Sequence, residues 1–228
     1  MPPSSTAGPY VVVAGTIGTG KSSVARGLGS SLGVPAFLEE PERNPFLESF
    51  YAQPERWAFR SQLWFLLDTC AQQSLIARGP TGGVQDHSAD EGVEVYSVVL
   101  SETGSMSPSE LGLLRQVFAE LRRDLALPDV VLHLRARPEE LLRRIRARDR
   151  PYERGIGLDY LRALDLVRDR LFAGWDACPV VEIDTEQLDG RTPEGLHAIT
   201  RRIIAQLPLP HRKHGSIAEH SSVPHALD

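Results

Sequence analysis

Short apolar runs and longer amphipathic stretches alternate along the chain, and this alternation predicts the order of its secondary-structure elements. Short apolar or β-branched runs bounded by Gly, Pro or acidic residues predict strands, and they lie at 10–15, 34–41, 82–86, 128–136 and 178–184. Apolar residues spaced three and four positions apart predict helices, which lie at 21–33, 54–78, 107–127, 137–150, 158–175 and 192–207. Strands separated by helices are typical of an α/β protein with a parallel sheet covered on both faces.

Composition narrows the class of protein. The 228 residues suffice for one α/β domain with a full core, and the net charge of −5 argues against general binding to nucleic-acid polymers. Cys70 and Cys178 provide no disulfide framework, which favours a reducing compartment. Residues 1–9 lack the basic start and apolar run of a signal peptide, and no stretch reaches the ~20 apolar residues of a membrane helix. We therefore expect a cytoplasmic protein without a membrane partner.

One folded domain is expected over residues 10–207. Residues 1–9 are predicted to be a flexible N-terminus, and residues 208–228 lack periodicity and are predicted to be a disordered tail. That tail holds four of the seven histidines, which leaves metal capture open as an alternative, although disorder is favoured.

The stretch GTIGTGKS at 15–22 matches the phosphate-loop pattern G-x-x-x-x-G-K-[ST] and lies between a predicted strand and a predicted helix, as that motif requires. Glycines let backbone N–H groups surround phosphates, and the helix N-terminus adds partial positive charge. Lys21 is expected to reach the β- and γ-phosphates and Ser22 to ligate Mg²⁺. The alternative is a Gly-rich turn that matches by chance. The residues predicted to bind ATP here are Gly15, Thr16, Ile17, Gly18, Thr19, Gly20, Lys21, Ser22 and Ser23.

Two charged segments suggest what the nucleotide is used for. Glu39 and Glu40 precede Pro41 at the end of the second predicted strand, where ligands of open α/β sheets bind, so a carboxylate there could accept a proton from an attacking hydroxyl. Arg144 and Arg148 lie one helical turn apart, and Arg150 comes just before Pro151. These guanidinium groups could neutralise a triphosphate during transfer. The alternatives are a solvated acid and a solvated basic face.

The ordered motifs resemble the deoxynucleoside kinases, in particular the bacterial deoxyadenosine/deoxyguanosine type, over about residues 10–205. After the phosphate loop come Glu40-Pro41, NPFLESFYAQPERWAFRSQ at 44–62, QDHS at 85–88, RARDRPYERGI at 146–156 and GLDYLRALDLV at 157–167. The resemblance implies the three-layer P-loop kinase sandwich, with a parallel five-stranded sheet and an arginine-rich lid at about 146–156. It also implies a homodimer.

The same resemblance implies the reaction: phosphorylation of a nucleoside 5′-hydroxyl by ATP or another nucleoside triphosphate. Glu40 would be the general base, while Lys21, Mg²⁺, Arg148 and Arg150 would stabilise the transferring phosphoryl group. Arg144 and Arg148 would contact ATP. Tyr51 and Glu153 would bind the sugar 3′-hydroxyl, and Gln62 the base edge.

Asp86, His87 and Ser88 raise the idea of a hydrolytic triad, which geometry excludes because adjacent side chains of a strand point to opposite faces. Asp86, at the end of the third strand, is predicted to act beside Ser22 on the Mg²⁺ side, and Ser88 to be a loop or cap residue. His87 stands where the family has arginine, and we place it with Asp86 among the substrate-binding residues.

Further departures lie close by. Gly92 and Thr69 stand where some members have an acid and an arginine that read the base. These changes imply either an unusual acceptor, such as a modified nucleoside, or weakened catalysis. The alternatives to a nucleoside kinase are a nucleoside-monophosphate kinase and a nucleotide-binding regulatory protein.

Overall fold

The central sheet runs parallel throughout, and its strand order is β2-β3-β1-β4-β5. A computed structural model describes residues 8–207, so the predictions for the first seven residues and for 208–228 lie outside the described residues. The strands are β1 Tyr10–Gly15, β2 Ala36–Phe37, β3 Gly83–Asp86, β4 Val130–Arg135 and β5 Val180–Asp184. The predicted five-stranded parallel α/β fold is thereby confirmed for this part of the chain.

The helices cover both faces of the sheet. They are α1 Lys21–Leu32, α2 Leu47–Ala52, α3 Pro54–Arg78, α4 Ala89–Glu91, α5 Val98–Glu102, α6 Pro108–Arg122, α7 Pro138–Arg148, α8 Leu158–Ala173 and α9 Pro193–Ile204. A π-helical segment, Gly92–Ser97, joins α4 to α5, and short 3₁₀ turns occupy Pro41–Arg43 and Pro151–Glu153. Within residues 8–207, no helix is both long enough and apolar enough to cross a membrane.

Strand β1 is the centre of the core because its side chains are buried on both faces. Val11 and Val13 pack with residues of α1 and α9. Tyr10 and Val12 pack on the opposite face, against Ile76 of α3. A strand buried on both sides reads as a continuous apolar run, which is why YVVVAG was recognisable in the sequence.

The helix boundaries follow the predicted signals. Pro54 occupies the first turn of α3, and Gly79 follows its last residue. Ser107 is the N-cap of α6 and forms a reciprocal capping box with Glu110, which satisfies two backbone donors at the helix start. The sequence leaves Ser107 and Ser109 as possible caps for this helix, and the structure shows that Ser107 is the cap.

Three parts of the fold differ from the prediction. The second strand covers two residues, Ala36–Phe37, instead of 34–41. The helix Leu47–Ala52 and the helical stretch from Ala89 to Glu102 were not predicted. Valines and a glycine in the latter stretch disfavour a helix locally, but Val95 and Val99 pack against Leu164 of α8 and are fully buried. Tertiary packing therefore overrides local propensity.

Candidate active site

A cavity of about 310 Å³ lies at the carboxyl ends of β1, β2 and β3, the edge at which parallel α/β sheets bind ligands. Its walls come from the phosphate loop, the segment after β2, α2, α3, the π-helical segment, α8 and residues 148–153. The lining residues are Ile17, Gly18, Gly20, Lys21, Ser22, Ser23, Arg26, Glu39, Pro41, Leu47, Phe50, Tyr51, Gln62, Phe65, Asp86, His87, Tyr96, Arg148, Arg150, Tyr152, Glu153 and Tyr160.

The phosphate loop bends tightly between β1 and α1. Gly18 and Gly20 have φ angles of 92° and 93°, which L-residues rarely adopt, and a Cβ on Gly18 would lie 3.0 Å from the Leu141 carbonyl oxygen. Gly15, Thr16 and Thr19, which we predicted to bind ATP, are not among the described residues that line the cavity. The hydroxyls of Thr16 and Thr19 form hydrogen bonds to other groups of the protein. Any phosphate contact from these two positions would therefore come from their backbone.

Lys21 is the positive charge at the start of α1 and is surrounded by acidic groups. Burial by itself would lower its pKa. Tyr96, Asp86 and Glu39 outweigh burial and hold the pKa of Lys21 above its ordinary value. The ammonium group is therefore fully charged at neutral pH and available to phosphate oxygens.

Ser22 and Asp86 meet as predicted. The Ser22 hydroxyl donates to Asp86 Oδ2 at 2.5 Å, while Asp86 Oδ1 is buried and has no hydrogen-bond partner within residues 8–207. Burial raises the pKa of Asp86 against the opposing effects of Lys21 and Ser22. A buried carboxylate oxygen without a partner beside a hydroxyl fits Mg²⁺, which takes one or two protein oxygens together with substrate phosphates.

The two glutamates after β2 differ in where they lie. Glu40 is outside the cavity, with its side chain 60% exposed and 3.3 Å from Arg43. Glu39 borders the cavity, and burial raises its pKa to about 7 even though Lys21 opposes the shift. The geometry thus differs from the prediction in one respect: Glu39, and not Glu40, which we predicted to be the general base, borders the cavity.

The predicted arginines separate into two groups. Arg148 and Arg150 line the cavity, and both face Glu153, at 2.7 and 3.7 Å. Arg144 instead bonds to Glu140 at 2.7 Å and to the hydroxyl and carbonyl oxygens of Thr185. Arg144 is not among the cavity-lining residues of the described chain, so its contacts differ from the predicted ATP contact.

The predicted substrate contacts also border the cavity. Tyr51, Gln62 and Glu153 lie in its wall, and so does Phe65, whereas Trp57 stacks on Phe46 at a centroid distance of 5.8 Å. Cavity residues that the sequence did not reveal are Arg26, Tyr96, Tyr152 and Tyr160. The helical pattern of α8 in the sequence is consistent with Tyr160 on its inner face. A tyrosine near the start of a helix, however, does not by itself indicate a ligand-binding site.

His87 has an unusual environment. Its φ angle of 81° is uncommon for a residue with a side chain, and the ring lies edge-on to Tyr96 at 5.2 Å. Burial lowers the pKa of His87 to about 4, so the ring is neutral at pH 7. A Cβ on Gly92 would lie 3.5 Å from His87 Nε2. Ser88 is the N-cap of α4, as predicted.

The family follows from comparison with known proteins. The sequence model of the deoxynucleoside kinase family matches residues 11–203, and the chain belongs to this family. Its members are phosphotransferases that use ATP, generally with Mg²⁺, to phosphorylate nucleosides.

Relatives of known activity include the deoxyadenosine/deoxycytidine kinase of Bacillus subtilis, which is 32% identical over 181 residues, covering 78% of this chain and 83% of that protein. The deoxyadenosine kinase of Dictyostelium discoideum is 33% identical over 157 residues, covering 69% of this chain and 64% of that protein. Among solved structures, the deoxyadenosine kinase of M. mycoides with bound dCTP has a TM-score of 0.74 at 22% identity, covering 86% of this chain and 99% of that one. That similarity concerns the fold.

Proposed function

We propose that the protein transfers the γ-phosphoryl group of ATP, or of another nucleoside triphosphate, to the 5′-hydroxyl of a deoxynucleoside or a modified nucleoside. The observation that carries this proposal is the position of Glu39, which faces the same cavity as Lys21 and the Ser22–Asp86 pair. A proton acceptor and a phosphate-binding loop then border one space large enough for a nucleoside.

Glu39 is the general base of this proposal. The 5′-oxygen attacks the γ-phosphorus, the bond from that phosphorus to the bridging oxygen of the β-phosphate breaks, and the hydroxyl proton passes to the Glu39 carboxylate. A pKa of about 7 suits this role, because a base is most effective when its pKa lies near the working pH. Glu40, exposed beside Arg43, has no part in the step.

Positive charge around the phosphates comes from several elements. Lys21 at the start of α1 and Arg148 and Arg150 near the end of α7 would neutralise charge on the transferring phosphoryl group. Ser22 and Asp86 would hold Mg²⁺, which supplies further charge neutralisation when bound. The 146–156 segment then acts as a lid over the triphosphate.

The acceptor side is formed by Tyr51, Gln62, Phe65 and Glu153. Glu153 and Tyr51 are proposed to bind the sugar hydroxyl, and the amide of Gln62 to bind the base edge, with Phe65 as an apolar wall. Thr69 is buried and its carbonyl accepts from Gln85, so the base is read without a charged pair there. Neutral His87 beside Tyr96 forms the inner wall of the site.

The proposal also covers the oligomeric state of the protein and its location in the cell. We propose a cytoplasmic homodimer, supported by free thiols at Cys70 and Cys178 and by apolar side chains on α3, where Leu67 and Leu75 are 50% and 61% exposed. Mass measurement in solution tests the dimer.

Transfer of phosphate from ATP to a panel of natural and modified nucleosides tests the reaction. Turnover on at least one deoxynucleoside, lost in Glu39→Gln, is expected. Binding of ATP without turnover on any nucleoside would overturn the proposal. Faster phosphorylation of nucleoside monophosphates than of nucleosides would indicate a monophosphate kinase instead.

A further inference from the structure

A fully buried ion pair lies beneath the phosphate loop, outside the machinery described above. Arg168 of α8 donates through Nε to Glu91 Oε1 at 2.8 Å, and both side chains are 0% exposed. Neither residue lines the cavity. Burying two charges costs free energy that their pairing often does not offset. The contacts of this pair with the rest of the site therefore indicate what else it does.

Helix α8 holds the first side chain of the phosphate loop from two directions. Arg168 Nη1 donates to the hydroxyl of Thr16, and that hydroxyl donates to Asp165 Oδ1 at 2.8 Å. Glu91 Oε1 also accepts from the backbone N–H of Gly15 at 3.2 Å. The ion pair and Asp165 thereby fix the two residues at which the chain leaves β1 and enters the loop.

The same pair contacts the inner wall of the acceptor site. Glu91 Oε2 lies 3.6 Å from His87 Nδ1, and the Arg168 guanidinium carbon lies 5.5 Å from the centroid of the Tyr96 ring. His87 and Tyr96 both border the cavity. One buried charge pair therefore joins the donor side of the site to its acceptor side.

The pair is not arranged for stability alone. Arg168 Nη2 and Glu91 Oε2 have no hydrogen-bond partner within the described residues, and buried polar atoms in that condition reduce stability. The other two nitrogens of this guanidinium bond to Glu91 and Thr16. Its role is therefore best explained by the way it fixes the positions of these residues.

We infer that Arg168, together with Glu91, is a positioning residue for phosphoryl transfer. It holds Gly15 and Thr16 on the donor side and His87 and Tyr96 on the acceptor side in one fixed arrangement. This inference rests on the proposed function, since it assigns the residue to the same site. Reactants held in line react faster than freely moving ones, and small displacements reduce that advantage strongly.

The test separates positioning from stability. Arg168→Met leaves a buried carboxylate unpaired, whereas the double variant Arg168→Met/Glu91→Gln removes both charges, and Arg168→Lys keeps a charge without the planar fork. Arg170→Met is the matched control, because Arg170 lies on the same helix with an exposed side chain. The measurements are thermal unfolding, calorimetric binding of ATP with Mg²⁺, and kcat and KM on the best nucleoside.

We expect Arg170→Met to match wild type and Arg168→Met to lose stability. The double variant should regain much of that stability yet bind ATP about tenfold more weakly, with a similar further loss in kcat. Arg168→Lys should fall between these variants and wild type. A double variant that is as stable, binds ATP as tightly and turns over as fast as wild type would overturn the inference.

A second pair of variants, at Thr16, tests the inference if the charge variants do not fold. Thr16→Val removes the hydroxyl that α8 holds, and Thr16→Ser keeps it. Weaker ATP binding in the first variant but not the second supports the inference, and equal binding in both overturns it. Because binding is measured without turnover, failure of the proposed reaction is visible separately, as a wild type that binds ATP but phosphorylates no nucleoside.

Discussion

Glu39 and Glu40 are neighbours in sequence but occupy different environments: Glu39 borders the cavity that contains Lys21, and Glu40 lies outside it, 3.3 Å from Arg43. The 3₁₀ turn that starts at Pro41 fixes this difference, since the Arg43 N–H bonds to the Glu40 carbonyl oxygen. The two neighbouring carboxyl groups therefore differ in their access to the cavity, and our proposal assigns the role of base to Glu39.

Exchanging each glutamate for glutamine separates the two residues. Glu39→Gln should reduce kcat by at least about a hundredfold, because the 5′-hydroxyl loses its proton acceptor. Glu40→Gln should stay within about threefold of wild type, since an exposed ion pair contributes little. Steady-state kinetics on the preferred nucleoside gives both values. Equal losses in the two variants would contradict the assignment.

The pH dependence of the rate should report Glu39. A base must be ionised to accept a proton, so kcat/KM should rise with pH and level off above about 7, the pKa to which burial raises this carboxyl group. A rate profile from about pH 3.5 to pH 9 measures the midpoint. The residual activity of Glu39→Gln should not show this rise of kcat/KM with pH. A midpoint near 4.5 in wild type would mean that another group limits the rate.

Stability gives an independent check on the same carboxyl group. Its pKa is near 4.5 when unfolded and about 7 when folded, so the folded state binds more protons between these values and wild type loses stability as pH rises through them. Relative to Glu39→Gln, the free energy of unfolding of wild type should fall by at most about 3 kcal/mol. Denaturant titrations of both proteins at pH 5 and pH 8 measure the difference.

Asp86→Asn should raise the Mg²⁺ concentration needed for half-maximal activity by at least about tenfold. The amide keeps the shape of the side chain but removes the charge that a divalent cation requires. Asp124→Asn is the matched control, because Asp124 is an exposed acid on the protein surface. An unchanged Mg²⁺ requirement in Asp86→Asn would remove Asp86 from the proposed metal site.

Gln62→Leu should raise KM for the nucleoside by about tenfold while leaving KM for ATP unchanged, because the base edge would face an apolar group of similar size. Gln53→Leu, at the solvent-exposed residue just before α3, should leave both constants near their wild-type values. Varying each substrate in turn measures them. A rise in KM for ATP in Gln62→Leu would mean that the loss is general rather than specific to the base.

His87→Arg should destabilise the protein by about 1–3 kcal/mol. The sequence alone favours a gain of activity on ordinary deoxynucleosides for this variant, since the family has arginine there, but His87 is buried and feels the positive charges of Lys21 and Arg168. A guanidinium there would lose its hydration and meet both charges, and Glu91, which lies beside His87 and is already paired with Arg168, would offset only part of that cost. Thermal unfolding beside exposed His197→Arg as control measures the effect, and higher activity with unchanged stability would restore the earlier expectation.

The sequence predicted much of the fold because its signals are local. The buried run of β1, the phosphate loop and the long helix α3 each carry a pattern that neighbouring residues alone determine. Ser22 and Asp86 were paired correctly because the carboxyl ends of adjacent parallel strands meet at one edge. These inferences needed only strand order and the direction of the chain.

What the sequence did not reveal depends on packing between distant segments. Two adjacent glutamates after a two-residue strand cannot be assigned to inside or outside without the turn that follows them. Arg168 lies in a helix that also carries Arg162 and Arg170, and no periodicity distinguishes the buried guanidinium from the exposed ones. No element was predicted for the valine-containing stretch before α5, because its helical form depends on α8, which covers it.

Tyr152, in the 146–156 segment that we propose to be a lid, donates to Glu42 Oε1 at 2.7 Å, and Glu42 comes three residues after Glu39. A hydrogen bond to a charged group is worth roughly 1.5–3 kcal/mol and less at an exposed site, which is weak enough to break and reform in every cycle. Under the proposed function this bond joins the lid to the segment that follows the proposed base, and opening of the lid would break it.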